Sequence, residues 1–273
     1  MAFENFKETI WAKGIERALK RRCVLEANCN RQFQGDVGEG KRVKIVGAMR
    51  PTINTYIPGR SINVAESPID TGVYLDIDQY KYANFFVDSI DAAQSDENIM
   101  QILIDGAADG ITELRDMYIG SLANRSENMS DSALVDTVDK AVAEIDNALV
   151  ALWECGVRTA DDIVVECPPW FYDKICTKVI SLSTDNPKLI GNGEVGRYKG
   201  AHIVMSNCLY NDGLDDYIMV RTKKAIAFAG GIHRVIPYEP ELQFGEAVKV
   251  LDTYGAKIVR PIELFVVRAH MME

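Results

Sequence analysis

Ser95-Asp-Glu-Asn-Ile-Met-Gln-Ile-Leu-Ile-Asp-Gly-Ala-Ala-Asp-Gly-Ile-Thr-Glu-Leu-Arg-Asp-Met-Tyr-Ile-Gly-Ser-Leu-Ala123 carries the strongest periodic signal in the chain. Met100, Leu103, Ala107, Ile111, Leu114, Tyr118 and Leu122 recur every three or four residues, the spacing of one apolar stripe on an α-helix. Ser95, Asp96, Glu97 and Asn98 supply the caps and negative charge that suit a helix N-terminus. A helix over 95–123 would be roughly 40 Å long, well beyond the usual three turns. Such an element acts as a strut, and the rest of the fold is read outward from it.

Upstream, Val73, Leu75 and Ile77 alternate with Tyr74, Asp76 and Asp78, the pattern of a half-buried strand. Lys41-Arg42-Val43-Lys44-Ile45-Val46 reads as its partner, across a section broken by Pro51, Pro58, Gly59, Pro68 and Gly72. The expectation is an extended hairpin with too little apolar residue to fold around itself, packed on another chain. Residues 5–22 read as an amphipathic helix through Phe6, Ile10, Trp11, Ile15, Ala18 and Leu19, again needing something to lie on.

Downstream the pattern becomes α/β. A helix is expected over about 132–154, capped by Ser130 or Asp131 and ended by Gly156, with Leu134, Val138, Ala141, Ile145, Leu149 and Leu152 as its stripe. A strand over 162–166 and a helix over 169–181 opened by Pro168-Pro169 follow. Further strands are expected at 201–205, 217–220, 225–229, 257–260 and 262–268.

The chain has 273 residues, is 47% hydrophobic and 26% charged, and carries 30 basic and 40 acidic residues for a net −10. That is globular composition, and the bulk charge excludes a general nucleic-acid binder. No apolar run reaches bilayer-spanning length, and the first residues lack a basic stretch followed by an apolar one, so neither a membrane segment nor a signal peptide is expected. Six dispersed cysteines, with no Cys-x-x-Cys pair and no ligand spacing to the three histidines, read as free thiols rather than disulfides or a zinc site. The charge is unevenly placed. Residues 1–34 hold seven bases and four acids, a net +3, whereas residues 88–162 hold seventeen acids and four bases, a net −13. This is either two solvated faces or a basic arm that lies on acidic surface, its own or a neighbour's.

Motifs for chemistry fail on context. Gly35-Asp36-Val37-Gly38-Glu39-Gly40-Lys41 fits a phosphate loop, but Arg42 stands where Ser or Thr must hold magnesium, and a strand follows where a helix is needed. Gly191-Asn192-Gly193-Glu194-Val195-Gly196 fits a dinucleotide fingerprint but precedes a strand, so a glycine turn is expected there. Asp161-Asp162, Asp212 with Asp215-Asp216, and Asp76 with Asp78 are read as solvated acids beside loops. No catalytic, cofactor-binding or metal-binding residue is assigned. A dispersed Ser/His/Asp triad is left open.

In one order along the chain, "LEANCNRQFQG" (25–35) with "KRVKIVG", "IDQYKYANFFVDSIDAAQS" (77–95), "GEVGRYKGAHIVMSN" (193–207) and "FGEAVKVLDTYGAKIVRP" (244–261) resemble the major capsid proteins of tailed bacteriophages, whose HK-ninety-seven-like fold encapsulin shells share. The resemblance implies an α+β chain: an N-terminal arm (1–34), an extended β-hairpin loop (35–80), a peripheral domain with a long spine helix (81–128), an axial α/β domain (129–238) and a return to the peripheral domain (239–273). It implies no enzyme and no cofactor. It implies a virion protein, assembled in the host bacterial cytoplasm, that forms hexamers and pentamers of an icosahedral head around double-stranded DNA bound without sequence specificity. Portal, scaffold and decoration proteins are the implied partners, and no membrane is. The chain starts at Met1 almost directly with the arm, so a separate scaffold or none is expected, and no covalent cross-linking between chains is expected. Lys41, Arg42, Lys44, Arg50 and Arg60 of the loop are expected to meet the acidic 88–162 stretch across a subunit boundary, and Arg21 and Arg22 of the arm to reach another neighbour. Two alternatives stand: an encapsulin-type shell around a protein cargo, and a soluble nucleotide-binding enzyme using the 191–196 turn.

Overall fold

A computed structural model of the chain describes residues 24–32, 42–45, 53–56, 58, 59, 61, 72–88, 99–158, 162–181, 197–242 and 244–271. The arm helix expected over 5–22, both glycine motifs, Lys41, Arg50, Arg60, Arg21 and Arg22 lie outside the described residues.

Strands β1 (Arg42–Ile45) and β2 (Val73–Asp76) pair antiparallel as the base of the hairpin, with Val43 opposite Leu75. Strand β3 (Gln79–Asp88) follows almost at once, then helix α1 (Ile99–Ser121), which runs into a 3-10 turn at Leu122–Arg125. The short β4 (Ala133–Leu134) precedes α2 (Val138–Glu154), β5 (Ile163–Cys167), α3 (Pro169–Ser181), β6 (Arg197–Tyr198), β7 (Ala201–Met205) and β8 (Asp216–Thr222). The long β9 (Ile226–Tyr238) and β10 (Gly245–Ile258) come next, and β11 (Leu264–His270) closes the chain.

These strands form two larger sheets. One has three antiparallel strands in the order β3-β10-β9; the other has six in the order β4-β11-β8-β5-β7-β6. The strut lies on the three-stranded sheet, where Ile104, Ala108 and Ile111 pack against Val235, Val248 and Val250. The α1 stripe is therefore rotated from the expected one. The core face runs through Ile104, Ala108, Ile111, Arg115 and Ile119, while Leu114 is exposed with Ile102 and Met117. The sequence is apolar on two sides of this helix, and periodicity alone does not say which side the sheet takes.

Helices α2 and α3 cover one face of the six-stranded sheet, burying Ile145, Leu149, Leu152, Phe171 and Ile175 against Ile163, Val165, Ile218, Val220 and Val267. Helix α2 begins later than expected. Thr137 caps it by accepting from the Lys140 amide, because Ala133 and Leu134 are drawn off to pair with Ala269 and His270. The opposite face of the sheet, through Tyr217, Met219, Leu264 and Val266, packs on Ile119, Leu122, Leu25, Phe228 and Tyr254. That second core joins the two sheets.

Within residues 239–273, β10 lies between β3 and β9, and β11 lies between β4 and β8. Strand β9 begins at the junction and belongs to the three-stranded sheet. A 3-10 turn at Pro261–Glu263 redirects the chain from one sheet to the other.

Candidate functional site

Three regions carry features beyond the packing of the two main sheets: the root of the arm, the hairpin base, and the outward faces of the strut and its sheet.

The arm root, residues 24–32, is gripped at the junction by buried charge. Asp116 of α1 accepts from the Val24 and Glu26 amides at 2.9 and 3.0 Å. Arg115, one residue earlier and on the core side, donates to Asp252 of β10 from Nε at 2.8 Å and to Glu26 at 3.1 Å. Arg31 closes on the same Glu26 at 2.7 Å. From the other sheet, Arg221 of β8 makes a two-pronged pair with Glu166 of β5 at 2.9 and 2.7 Å, both side chains fully buried. Its remaining donors reach the Asn28 carbonyl at 2.7 Å and the Leu25 carbonyl at 3.2 Å. Asn30 adds itself to β9, donating to Ile226 O and accepting from Phe228 N. The fork of an arginine suits this task, since it satisfies a carboxylate and two turn carbonyls at once.

The electrostatics follow from depth. Burial pulls the Arg115 and Arg221 guanidiniums down, but the hydrogen bonds and charges of Asp252, Glu26 and Glu166 outweigh it and hold both cations charged. Burial lifts the Asp116 and Glu166 carboxyls above their ordinary range in spite of their donors. Burial likewise pushes the Cys29 thiol, beside Arg221, up to about 11.

The hairpin base is fixed to its own chain. Val43, Ile45 and Leu75 of the hairpin base are buried on Ala227 and Ala229 of β9 in the same chain. Gly255 lets it approach: a Cβ there would stand 2.1 Å from the Asp76 carbonyl. Lys257 donates to the Tyr74 carbonyl at 2.8 Å. Arg42, expected to bridge to a neighbour, pairs within the hairpin with Asp76 at 2.5 Å and lies over the Tyr74 ring. Lys44 is exposed on the same strand.

The outward faces differ. Ile102, Leu114 and Met117 stand exposed on α1 among Asp109 and Glu113. On the sheet face away from α1, Tyr80 and Tyr82 are exposed beside Leu251, and Lys249 covers the Tyr238 ring at 4.2 Å. Where β9 turns into β10, Leu242 and Phe244 are 96% and 90% exposed between Glu239, Glu241 and Glu246.

Asp215 is not a solvated acid. It is fully buried, accepts from Ser132 Oγ at 2.8 Å and Arg268 at 2.9 Å, and faces His270 Nδ1 at 2.7 Å. Ser132 meets the same Nδ1, at 3.4 Å. A relay needs the carboxylate on one ring nitrogen and the serine on the other, so this cluster ties the β4 edge to β11 and is not a catalytic triad. Among the described residues no group of three or more His, Cys, Asp or Glu is arranged to hold a metal, and no helix is long and apolar enough to cross a membrane.

The residues of the arm clamp were not singled out from sequence. Glu166 inside Ile163–Cys167 and Arg221 directly after the apolar run 217–220 are charges set into apolar strand sequence, and that is the signal that marks them.

No protein-family model matches the chain, and no curated protein matches it in sequence. Its fold is that of solved phage capsids. A chain of the structure described as Mycobacterium phage Che8 is 25% identical, with a TM-score of 0.72 and 90% of each chain covered. The capsid of the cyanophage P-SCSP1u is 14% identical, with a TM-score of 0.70 over 92% of this chain and 88% of that one. The virus-like particle from Pyrococcus furiosus is 12% identical, with a TM-score of 0.60 over 96% and 99%.

Proposed function

We propose that this chain, which has the HK-ninety-seven-like fold of tailed-bacteriophage major capsid proteins, is itself the major capsid subunit of such a phage and works by self-assembly. The observation that carries the reading is the whole-length likeness to phage chains, over 90% and 92% of this chain in the two phage neighbours described. The geometry supports it in detail. The clamp fixes the point from which the arm leaves, the hairpin base is anchored, and apolar side chains remain outside every described core. In this reading hexamers and pentamers close into an icosahedral head around double-stranded DNA. The net negative subunit would not grip the packaged genome. The chain acts without cofactor or catalysis, and scaffold, portal and decoration proteins are its further partners. The virion is its place, after assembly in the bacterial cytoplasm.

The likeness to the Pyrococcus furiosus virus-like particle supports a second reading, an encapsulin-type shell. Electron microscopy of the expressed chain, with analysis of what the particles hold, tests both. Closed shells, tubes or sheets are expected, with nucleic acid favouring the phage head and a protein cargo favouring the encapsulin. A stable monomer that binds nucleotides would overturn both and favour the enzyme. Boiled shells should release intact single chains; a ladder of linked chains would overturn the absence of cross-linking.

A further inference from the structure

The tip between β9 and β10 is the most exposed apolar feature of the described chain. Leu242 and Phe244 are almost wholly in water, within the sequence Tyr238-Glu-Pro-Glu-Leu-Gln-Phe-Gly-Glu246, which carries three acids and no base. They stand beside an open hollow of about 660 Å³ that Glu239, Glu241 and Glu246 also line. Large side chains at such exposure act as anchors for a partner. The acids fix the sign of that partner: it must bring apolar groups together with cations.

One segment of this chain has that chemistry. Lys13-Gly-Ile-Glu-Arg-Ala-Leu-Lys-Arg-Arg22 carries five bases against one acid, and Ile15, Ala18 and Leu19 recur at helical spacing. We propose that residues 13–22 of a second copy dock on the β9–β10 tip, with Ile15 and Leu19 against Leu242 and Phe244, and Arg21 and Arg22 toward Glu239 and Glu241. The inference rests on the self-assembly reading and names the surface that receives the arm. Position argues for a second copy. The arm leaves at Val24, bound to Asp116, and its neighbour Arg115 is bound to Asp252. From Asp252 to Gly245 is seven residues of β10, about 23 Å at strand rise. Arg22 is two residues from Val24, a reach of about 7 Å of extended chain, far short of that span, so Arg21 and Arg22 pair with the tip of a neighbouring copy.

The test is photo-cross-linking in the full chain. Phe244→benzoylphenylalanine is expressed as light and heavy isotope forms, which are mixed before assembly and irradiated, and the joined peptides are identified by mass spectrometry. The expected product joins position 244 to a peptide within 13–22, with mixed-isotope pairs as common as same-isotope pairs. Same-isotope pairs alone, or products only with other segments, overturn the proposal. Glu239→Lys with Glu241→Lys should cut the yield on the order of tenfold, and Arg21→Glu with Arg22→Glu in the same chain should restore it. An unchanged yield, or no restoration, overturns the charge pairing. Shells that form without the cross-link would overturn this contact and leave the shell reading standing; the cross-link in an oligomer that never closes would do the reverse.

Discussion

The arm root and the β9–β10 tip lie on the same strand pair and are solved in opposite ways. At residues 24–32 the chain brings charged groups inward and satisfies them with its own atoms: Arg115 spans Glu26 and Asp252, and Arg221 spans Glu166 and two turn carbonyls. At the tip it sends apolar groups outward and gives them nothing. A soluble monomer gains from neither arrangement. Buried ion pairs rarely add net stability over apolar packing, and exposed Leu and Phe invite association. Both make sense if the root must hold a fixed geometry while the tip waits for another molecule.

The largest effect that would break this contrast is at Arg221. Arg221→Ala leaves Glu166 buried without its cation and should cost about 3–5 kcal/mol in urea unfolding. Adding Glu166→Leu to an Arg221→Met chain should recover the part of that loss owed to the unpaired carboxylate, and not the part owed to the Asn28 and Leu25 carbonyls, which still lack the arginine donor. If the double variant is as stable as the parent yet assembles poorly, the clamp serves geometry rather than stability. If it assembles normally, the contrast loses its first half.

Gly255→Ala sharpens the boundary between the two regimes. Its Cβ would meet the Asp76 backbone, which has no flexible end to move aside. A cost of about 1–3 kcal/mol is expected in the isolated chain, because the hairpin base is held in cis. Leu242→Ser with Phe244→Ser should instead change the unfolding free energy by no more than about 0.5 kcal/mol, while shell yield by light scattering collapses. A large loss of stability in that variant would mean that the tip packs on its own chain.

Sequence reading reached the elements whose signals are local. Helix α3 has the bounds expected from its proline opening, β7 the bounds expected from its apolar run, and Gly156 ends α2 with φ +92. It missed what only tertiary contact decides. Leu114 looked like core because α1 is apolar on two sides, and only the choice of face by β3, β9 and β10 left it in water. Asp215 looked solvated because its partners, Arg268 and His270, lie over fifty residues away. Arg42 faces Asp76 directly across the hairpin, a pairing that the strand register decides. Long-range pairing of isolated charges leaves no periodic trace, so the clamp was invisible except as charges misplaced in apolar strands.

The smallest effect is carried by the thiols, and it too separates buried root from open surface. Burial lifts the Cys29 thiol to about 11, so at pH 8 it is almost wholly protonated and shielded, whereas Cys155 at the end of α2 is exposed. Iodoacetamide at pH 8 should label Cys155 within the folded chain and reach Cys29 only as fast as the root opens. The linkage has a definite sign. Between the ordinary thiol value of 9.0 and about 11, the folded chain keeps a proton that the unfolded chain has given up, so stability falls as pH rises through that window. Cys29→Ala should flatten that decline and leave the curve below pH 8 parallel to the parent's. A root that is labelled as quickly as Cys155, or a decline that Cys29→Ala does not soften, would show that residues 24–32 are not locked, and the distinction between clamp and tip would fall with them.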